Sequence, residues 1–138
     1  MSAEFLLDTN VWVYAAGSAP EEADKKRRAL ALIAGGRWGI STQVLQEFYV
    51  TVTRKIARPL PPADAEAWIK DMIKLPCVTT TPELVQRGIA ISLHCQISYW
   101  DGALLAAAES LGVRTVYSED LGHGQEYEGI RVTNPFLP

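Results

Sequence analysis

The chain has 138 residues, of which 48% are hydrophobic and 21% charged, as is typical of a globular protein with a single core. Its net charge of −3 excludes a protein that coats nucleic acid through bulk positive charge. No apolar run approaches the roughly 20 residues of a membrane-spanning helix. The first residues lack the basic region of a signal peptide, so we expect a cytoplasmic protein with one domain over residues 1–138.

Short apolar strands alternate with helical patterns along the chain. The pattern predicts strands at 4–7, 38–40, 77–80, 113–117 and 130–133. It predicts helices at 10–16, 20–34, 43–56, 63–75, 81–94 and 98–112. Because strands and helices alternate, the predicted fold class is α/β, with a parallel sheet that helices cover on both faces.

Four acidic residues lie where the predicted elements bring side chains together. Asp8 and Asp120 directly follow apolar strands, and Asp101 lies in the first turn of a predicted helix. Glu47 stands about one helical turn beyond the end of the second strand. Since sites in parallel sheets form beyond the carboxyl ends of the strands, we expect these four carboxylates to converge.

A convergent group of carboxylates needs a cation. Two negative charges about 5 Å apart repel by about 3 kcal/mol at an effective dielectric constant of 20. Mg²⁺ and Mn²⁺ prefer oxygen ligands and readily keep bound water. The sequence therefore indicates a metal-dependent enzyme that acts on phosphate esters.

Each acid also has a purely structural interpretation. Asp8 could be a helix N-cap, and Asp101 could form a capping box with Ser98. Glu47 could lie on an exposed helix face, and Asp120 could belong to a turn. The joint pattern favours the metal site over these separate explanations.

Other reactive side chains receive structural interpretations. Cys77 and Cys95 lack the spacing of a metal motif, and we expect buried free thiols. The basic run from Lys25 to Arg28 is expected to be a solvated helix face. His94 is expected to end a helix, where its charge suits the helix dipole.

Four segments of the sequence resemble the motifs of the PIN domain family. Leu-Leu-Asp-Thr-Asn-Val-Trp-Val-Tyr-Ala, around Asp8, is similar to the opening motif. Ser-Thr-Gln-Val-Leu-Gln-Glu-Phe-Tyr carries Glu47 and resembles the second. Ser-Tyr-Trp-Asp-Gly-Ala and Tyr-Ser-Glu-Asp-Leu, with Asp101 and Asp120, resemble the third and fourth. The order matches across nearly the whole chain, and the likeness is greatest to VapC-type toxins.

The resemblance implies a single-domain α/β/α sandwich around a short parallel sheet. It implies a Mg²⁺- or Mn²⁺-dependent endoribonuclease that is a homodimer and is inhibited by a cognate antitoxin. By motif, the metal-site acids are Asp8, Glu47, Asp101 and Asp120. Glu119, which precedes Asp120, could share its role. Further hydrogen-bonding partners of the acids are expected to be Thr9, Asn10 and Ser118.

Three rival functions remain for comparison. A haloacid-dehalogenase-like phosphatase would need an aspartate two positions after Asp8, where this chain has Asn10. A receiver domain would need a paired acidic motif and a late lysine, and neither is evident. A PIN-like module that binds RNA or protein without catalysis would be favoured by loss of a metal-site acid, but all four positions are filled.

Overall fold

A twisted sheet of six short strands runs through the computed structural model, which describes residues 2–138. The strands are β1 (Phe5–Leu7), β2 (Trp38–Ser41), β3 (Cys77–Val78), β4 (Thr115–Tyr117), β5 (Glu126–Tyr127) and β6 (Ile130–Thr133). Their order across the sheet is β3-β2-β1-β4-β6-β5, and all neighbours are parallel except β5 and β6. The sheet is therefore mixed, with one antiparallel strand at an edge.

The helices form two packed groups. They are α1 (Thr9–Ala16), α2 (Ala23–Ala34), α3 (Thr42–Val50), α4 (Pro62–Met72), α5 (Pro82–Cys95) and α6 (Tyr99–Leu111). Helix α1 packs against α2 and α3, and α3 packs against α4. Helix α5 packs along α6, which contacts strands β2, β3, β4 and β6. The flanked, mostly parallel sheet confirms the predicted α/β fold.

Local capping explains where several helices begin. The side chains of Ser41, Thr81 and Ser98 accept hydrogen bonds from the backbone N–H of the third residue of α3, α5 and α6, respectively. Asp8 caps α1 through the N–H of Thr9. These polar residues satisfy donors that a helix leaves unpaired at its start, so each helix begins immediately after its cap.

The core fills the space between the sheet and the helices with aliphatic and aromatic side chains. Leu6 and Leu7 of β1 are both fully buried, as expected for a central strand covered on two faces. The rings of Trp12 and Trp38 meet edge to face at 4.7 Å, which links α1 to β2. The predicted positions of β1 and β2 are therefore fixed by packing on both sides.

Three sequence-based expectations need correction. Cys77 is exposed and Cys95 is half-buried, so neither is the buried thiol expected, although both are free. Cys77 lies on edge strand β3, where its neighbour Val78 points into the core instead. The third helix was expected to run to about residue 56, but α3 ends at Val50 and a wider π-helical turn, Thr51–Lys55, follows it. Strand β5 was not predicted, because two residues carry no periodic signal.

Helices α5 and α6 cross at two glycines. A Cβ added to Gly102 would lie 2.4 Å from the carbonyl oxygen of Gly88 and 2.9 Å from Cβ of Ser92. Real Cβ atoms do not approach backbone this closely, so the crossing requires glycine at position 102.

The described helices contain none long and apolar enough to pass through a lipid bilayer.

Replacing Gly102 by alanine tests this crossing. Alanine favours a helix by about 1 kcal/mol over glycine, but the clash with Gly88 forces the helices apart. We expect Gly102→Ala to lower the free energy of unfolding by about 1–3 kcal/mol in urea titrations. Gly35→Ala is the matched control, because a Cβ added to Gly35 would have the carbonyl oxygen of Leu32, 3.6 Å away, as its nearest neighbour. A stability of Gly102→Ala equal to or above that of Gly35→Ala would contradict the packing argument.

Candidate metal centre

The site lies at the switch point of the sheet, where the chain has added strands on one side of β1 and then adds the next strand on the other side. From β1 the chain moves outward to β2 and β3, and later returns to place β4 on the other side of β1. Open sheets bind ligands in the crevice at this kind of switch point. The backbone N–H of Asp8 donates to the carbonyl of Tyr117 at 3.0 Å, so the ends of β1 and β4 are joined.

Asp8 is the buried member of the site. Its side chain is only 8% exposed, and its two oxygens accept from the Thr9 N–H at 2.7 Å and the Ser118 hydroxyl at 2.7 Å. It therefore acts as a helix cap, as the structural interpretation proposed, and also faces the β4 loop. Each carboxylate oxygen of Asp8 has two lone pairs, so an oxygen that accepts the capping hydrogen bond can also bind a ligand.

Asn10 links Asp8 to Asp120. Its side-chain amide lies 3.2 Å from a carboxylate oxygen of Asp120 and 3.4 Å from one of Asp8. Its amide oxygen accepts from the backbone N–H of Glu119 at 3.3 Å. The Ser118 hydroxyl accepts from the N–H of Asp120 at 3.1 Å. Together these bonds hold the loop after β4 over the start of α1.

Glu47 joins the same cluster from α3. One of its carboxylate oxygens accepts from the Thr9 hydroxyl at 3.2 Å and from the side-chain amide of Gln43 at 3.3 Å. Thr9, Asn10 and Ser118 therefore make the hydrogen bonds expected from the sequence. Gln43 was missed, although its place one turn before Glu47 on the same helix is a recognisable signal.

Asp101 stands at the margin of the cluster. It is half-buried in the first turn of α6, where its N–H is capped by Ser98. The Gln43 amide that binds Glu47 also lies 3.5 Å from the carbonyl of Trp100, next to Asp101. Among residues 2–138, the Asp101 carboxylate has no hydrogen-bond partner. The structure thus links Asp8, Glu47 and Asp120 through hydrogen bonds of Thr9, Asn10 and Ser118, and brings only the backbone beside Asp101 to them.

Glu119 faces away from the other acids. Its carboxylate accepts from the Tyr14 hydroxyl at 2.6 Å and pairs with the Lys25 ammonium at 2.5 Å. Partial burial opposes its ionisation, but the hydrogen bonds from Lys25 and Tyr14 outweigh burial and hold its pKa below the usual value. A shared role for Glu119 therefore has no support in this geometry.

The same contact corrects the interpretation of the basic run in α2. Lys25 lies 4.7 Å above the ring of Tyr14, and Lys26 donates to the carbonyl of Gly17. Arg28 donates to carbonyls of the C-terminal segment at Pro135 and Leu137. Only Arg27 remains largely solvated, so this helix face is mostly occupied by contacts within the chain.

Electrostatics separate the four acids from other carboxylates of the protein. Within the described residues, none of Asp8, Glu47, Asp101 and Asp120 forms an ion pair with lysine, arginine or histidine. Burial is the main reason that the pKa of the Asp8 carboxyl rises from its usual 3.8 to about 6. Hydrogen bonds from Ser118 and Thr9 oppose the rise, and the charges of Asp120 and Glu47 add to it.

The residues present fit a hard divalent cation. The donor set consists of carboxylate oxygens, with hydroxyl and amide groups behind them, and its charge is not balanced by basic side chains. Across residues 2–138, no three of the four acids bring their oxygens within 4.8 Å of one another. Mg²⁺ tolerates such spacing, because it usually keeps several waters and binds through one or two carboxylates.

Comparisons with known proteins agree with this architecture. VapC20 of Mycobacterium tuberculosis, described as a toxin that cleaves the sarcin-ricin loop, is 22% identical with a TM-score of 0.66, covering 85% of this chain and 90% of its own. A toxin–antitoxin complex from Klebsiella pneumoniae is 16% identical with a TM-score of 0.69, covering 98% of each chain. DNA-bound VapBC from Salmonella typhimurium is 19% identical with a TM-score of 0.66, covering 96% and 98%.

At these identities the solved structures establish a shared fold. A search of curated protein sequences found no match. The family model of the PIN domain matches residues 5–125, which includes all four acids and most of the chain. The chain therefore belongs to the PIN domain family.

Proposed function

We propose that this protein is a Mg²⁺- or Mn²⁺-dependent endoribonuclease and the toxin of a toxin–antitoxin pair. The observation that carries the proposal is the group of carboxylates at the β1–β4 switch point without a basic partner. Similarity to proteins described as a toxin that cleaves the sarcin-ricin loop and as a toxin–antitoxin complex supports the substrate class and the role. The alternative of a PIN module without catalysis lacks a supporting feature, since every acid is in place.

In this proposal the four acids hold the ion directly or through its bound waters, and the neighbouring polar side chains orient them. Asn10 keeps Asp8 and Asp120 at the mouth of the crevice, and Ser118 fixes one oxygen of Asp8. Thr9 and Gln43 fix one oxygen of Glu47 and leave the other free to bind. The bound cation supplies an activated water as the nucleophile and charge stabilisation for the phosphodiester.

The assignment of Asp101 rests on its place rather than on a contact. Gln43 of α3 bonds to Glu47 and to the carbonyl of Trp100, so the first turn of α6, which carries Asp101, lies beside α3. A carboxylate without an internal partner can rotate to reach an ion or to bind one of its waters. The N-terminus of α6 also favours negative charge, including a substrate phosphate.

Conservative substitution of the acids tests the proposal. With defined RNA and Mn²⁺, we expect Asp8→Asn, Asp101→Asn and Asp120→Asn each to reduce cleavage by roughly 100-fold or more, because each removes a charge that the cation requires. The products should carry 5′-phosphate and 3′-hydroxyl ends, since water is the nucleophile. End-labelled RNA resolved on sequencing gels measures both results.

Asp71→Asn is the matched control for these variants, because Asp71 is an exposed acid paired with Lys74 on the surface. It should cleave as fast as the unmodified protein. Circular dichroism should show intact folding in every variant. Full activity in Asp8→Asn and Asp120→Asn would overturn the proposed site.

The raised pKa of Asp8 makes a separate prediction about the metal-free protein. The folded state holds the Asp8 proton up to a pH of about 6, whereas the unfolded chain releases it near 3.8. The stability that protonated Asp8 contributes is present below pH 4 and is lost as pH rises through 6, by about 3 kcal/mol in total. Asp8→Asn lacks this loss, so its stability relative to the unmodified protein should be higher at pH 8 than at pH 4.

Urea unfolding in EDTA at the two pH values measures this difference. Adding Mg²⁺ at pH 8 should stabilise the unmodified protein, because the ion binds the native state, and should have little effect on Asp8→Asn. If the stability difference between the two proteins is the same at pH 4 and pH 8, burial does not raise the pKa of Asp8.

An antitoxin partner and a homodimer are also part of the proposal. Leu93 and Trp100 are large apolar side chains that remain 74% and 62% exposed, as expected at a protein interface. We expect a protein encoded beside this gene to bind the chain and to suppress RNA cleavage at a stoichiometric ratio. Light scattering of the chain alone and of the complex gives the subunit number, and cleavage assays give the inhibition. Unchanged cleavage with a bound neighbour would remove the antitoxin role.

A further inference from the structure

A second cluster of metal-binding side chains lies away from the four acids. Glu128 is in the turn between β5 and β6, which precedes the amino end of β6. Asp120 instead follows the carboxyl end of β4, and β4 and β6 are parallel neighbours. The two groups therefore lie at opposite ends of the parallel strands and cannot share an ion.

Three different ligand types meet in this second cluster. His94 and Cys95 end α5, and the Nδ1 atom of His94 contacts the Glu128 carboxylate. One ligand atom from each of His94, Cys95 and Glu128 lies within 4.8 Å of the others. In a tetrahedral zinc site with bonds of about 2.0–2.3 Å, two ligand atoms lie roughly 3.3–3.8 Å apart. Side-chain rotations that change the separations of the three ligand atoms by roughly 1 Å would therefore surround an ion.

The backbone at Glu128 is strained in a way that places its carboxylate in the cluster. Glu128 has φ of +51° and Gly129 has φ of +82°, so two consecutive residues adopt the left-handed conformation. Tight hairpin turns of this kind favour asparagine, aspartate or glycine at the first position. Glutamate is a poor choice for the turn itself, but its longer side chain reaches α5. Backbone strain of this type is typical of residues that belong to active sites or ligand-binding sites.

The surrounding charges favour a cation. His94 and Cys95 lie in the last turn of α5, where the carbonyl ends of the helix carry partial negative charge. Arg87 is the positive group whose charge interacts with Glu128 and Cys95. Both of its guanidinium bonds, at 2.8 Å and 2.9 Å, go to the carboxylate of Glu109, which offsets its charge.

We propose that His94, Cys95 and Glu128 form a Zn²⁺ site that joins the end of α5 to the β5–β6 turn. Imidazole, thiolate and carboxylate are the ligands zinc takes in proteins, whereas Mg²⁺ selects oxygen alone. Three protein ligands leave a fourth position open for water. This site is independent of the nuclease proposal, because it uses different residues and a different class of ion.

The absorption spectrum of bound Co²⁺ tests the site directly. In reduced, metal-free protein with excess Mg²⁺, Co²⁺ should produce the visible bands of a four-coordinate ion and a thiolate charge-transfer band, and Zn²⁺ should remove both. Cys95→Ser should abolish the charge-transfer band. His94→Ala and Glu128→Gln should each weaken Co²⁺ binding at least about tenfold. Cys77→Ser is the matched control, because Cys77 is the other free thiol, and it should give the full spectrum.

Glu128→Asn separates binding from folding. Asparagine suits the strained turn, so the metal-free variant should melt at or above the temperature of the unmodified protein, while its shorter side chain cannot reach the ion. The rise in melting temperature that Zn²⁺ gives the unmodified protein should be lost. A missing charge-transfer band in the unmodified protein, or the same band in Cys95→Ser, would overturn the zinc site. An undiminished Zn²⁺ response in Glu128→Asn would also do so.

Discussion

Parallel pairing of β1 with β4 is the interaction on which the candidate metal centre depends. Leu6 and Leu7 pair with Val116 and Tyr117, and the pairing continues through the N–H of Asp8. Without this register, Ser118 could not reach Asp8, and Asn10 could not bridge to Asp120. The central strands are buried and apolar, so hydrophobic packing holds the polar residues at their ends in place.

The site combines stabilising and destabilising contributions in a small volume. Hydrogen bonds to Asp8, Glu47 and Asp120 fix the side chains, but burial of an unpaired carboxylate opposes folding. Nearby, the Lys25 ammonium pairs with the Glu119 carboxylate and so anchors the loop after β4 from the outside. One acid of the Glu119–Asp120 pair is thus used for structure, which leaves its neighbour available for a ligand.

Much of this arrangement follows from local sequence, and the rest depends on contacts between distant residues. Asp8 and Asp120 follow β1 and β4, as the apolar runs before them predicted, and the parallel pairing of these strands brings their carboxyl ends together. The helix starts were predicted within about one residue wherever a cap such as Ser41 or Thr81 marks the start. The pairing of Lys25 with Glu119 spans 94 residues and leaves no periodic signal. The exposure of Cys77 depends on β3 being an edge strand, which only the sheet order reveals.

The separation of the paired elements along the chain also affects how the protein is made. Ser118 and Asp8 are 110 positions apart, and they meet only when β4 inserts beside β1. During synthesis, β1 and α1 are made before the segment that carries Asp120. The carboxylate cluster therefore assembles only once β4 and the loop after it are available, so a polypeptide that stops before them lacks the complete centre.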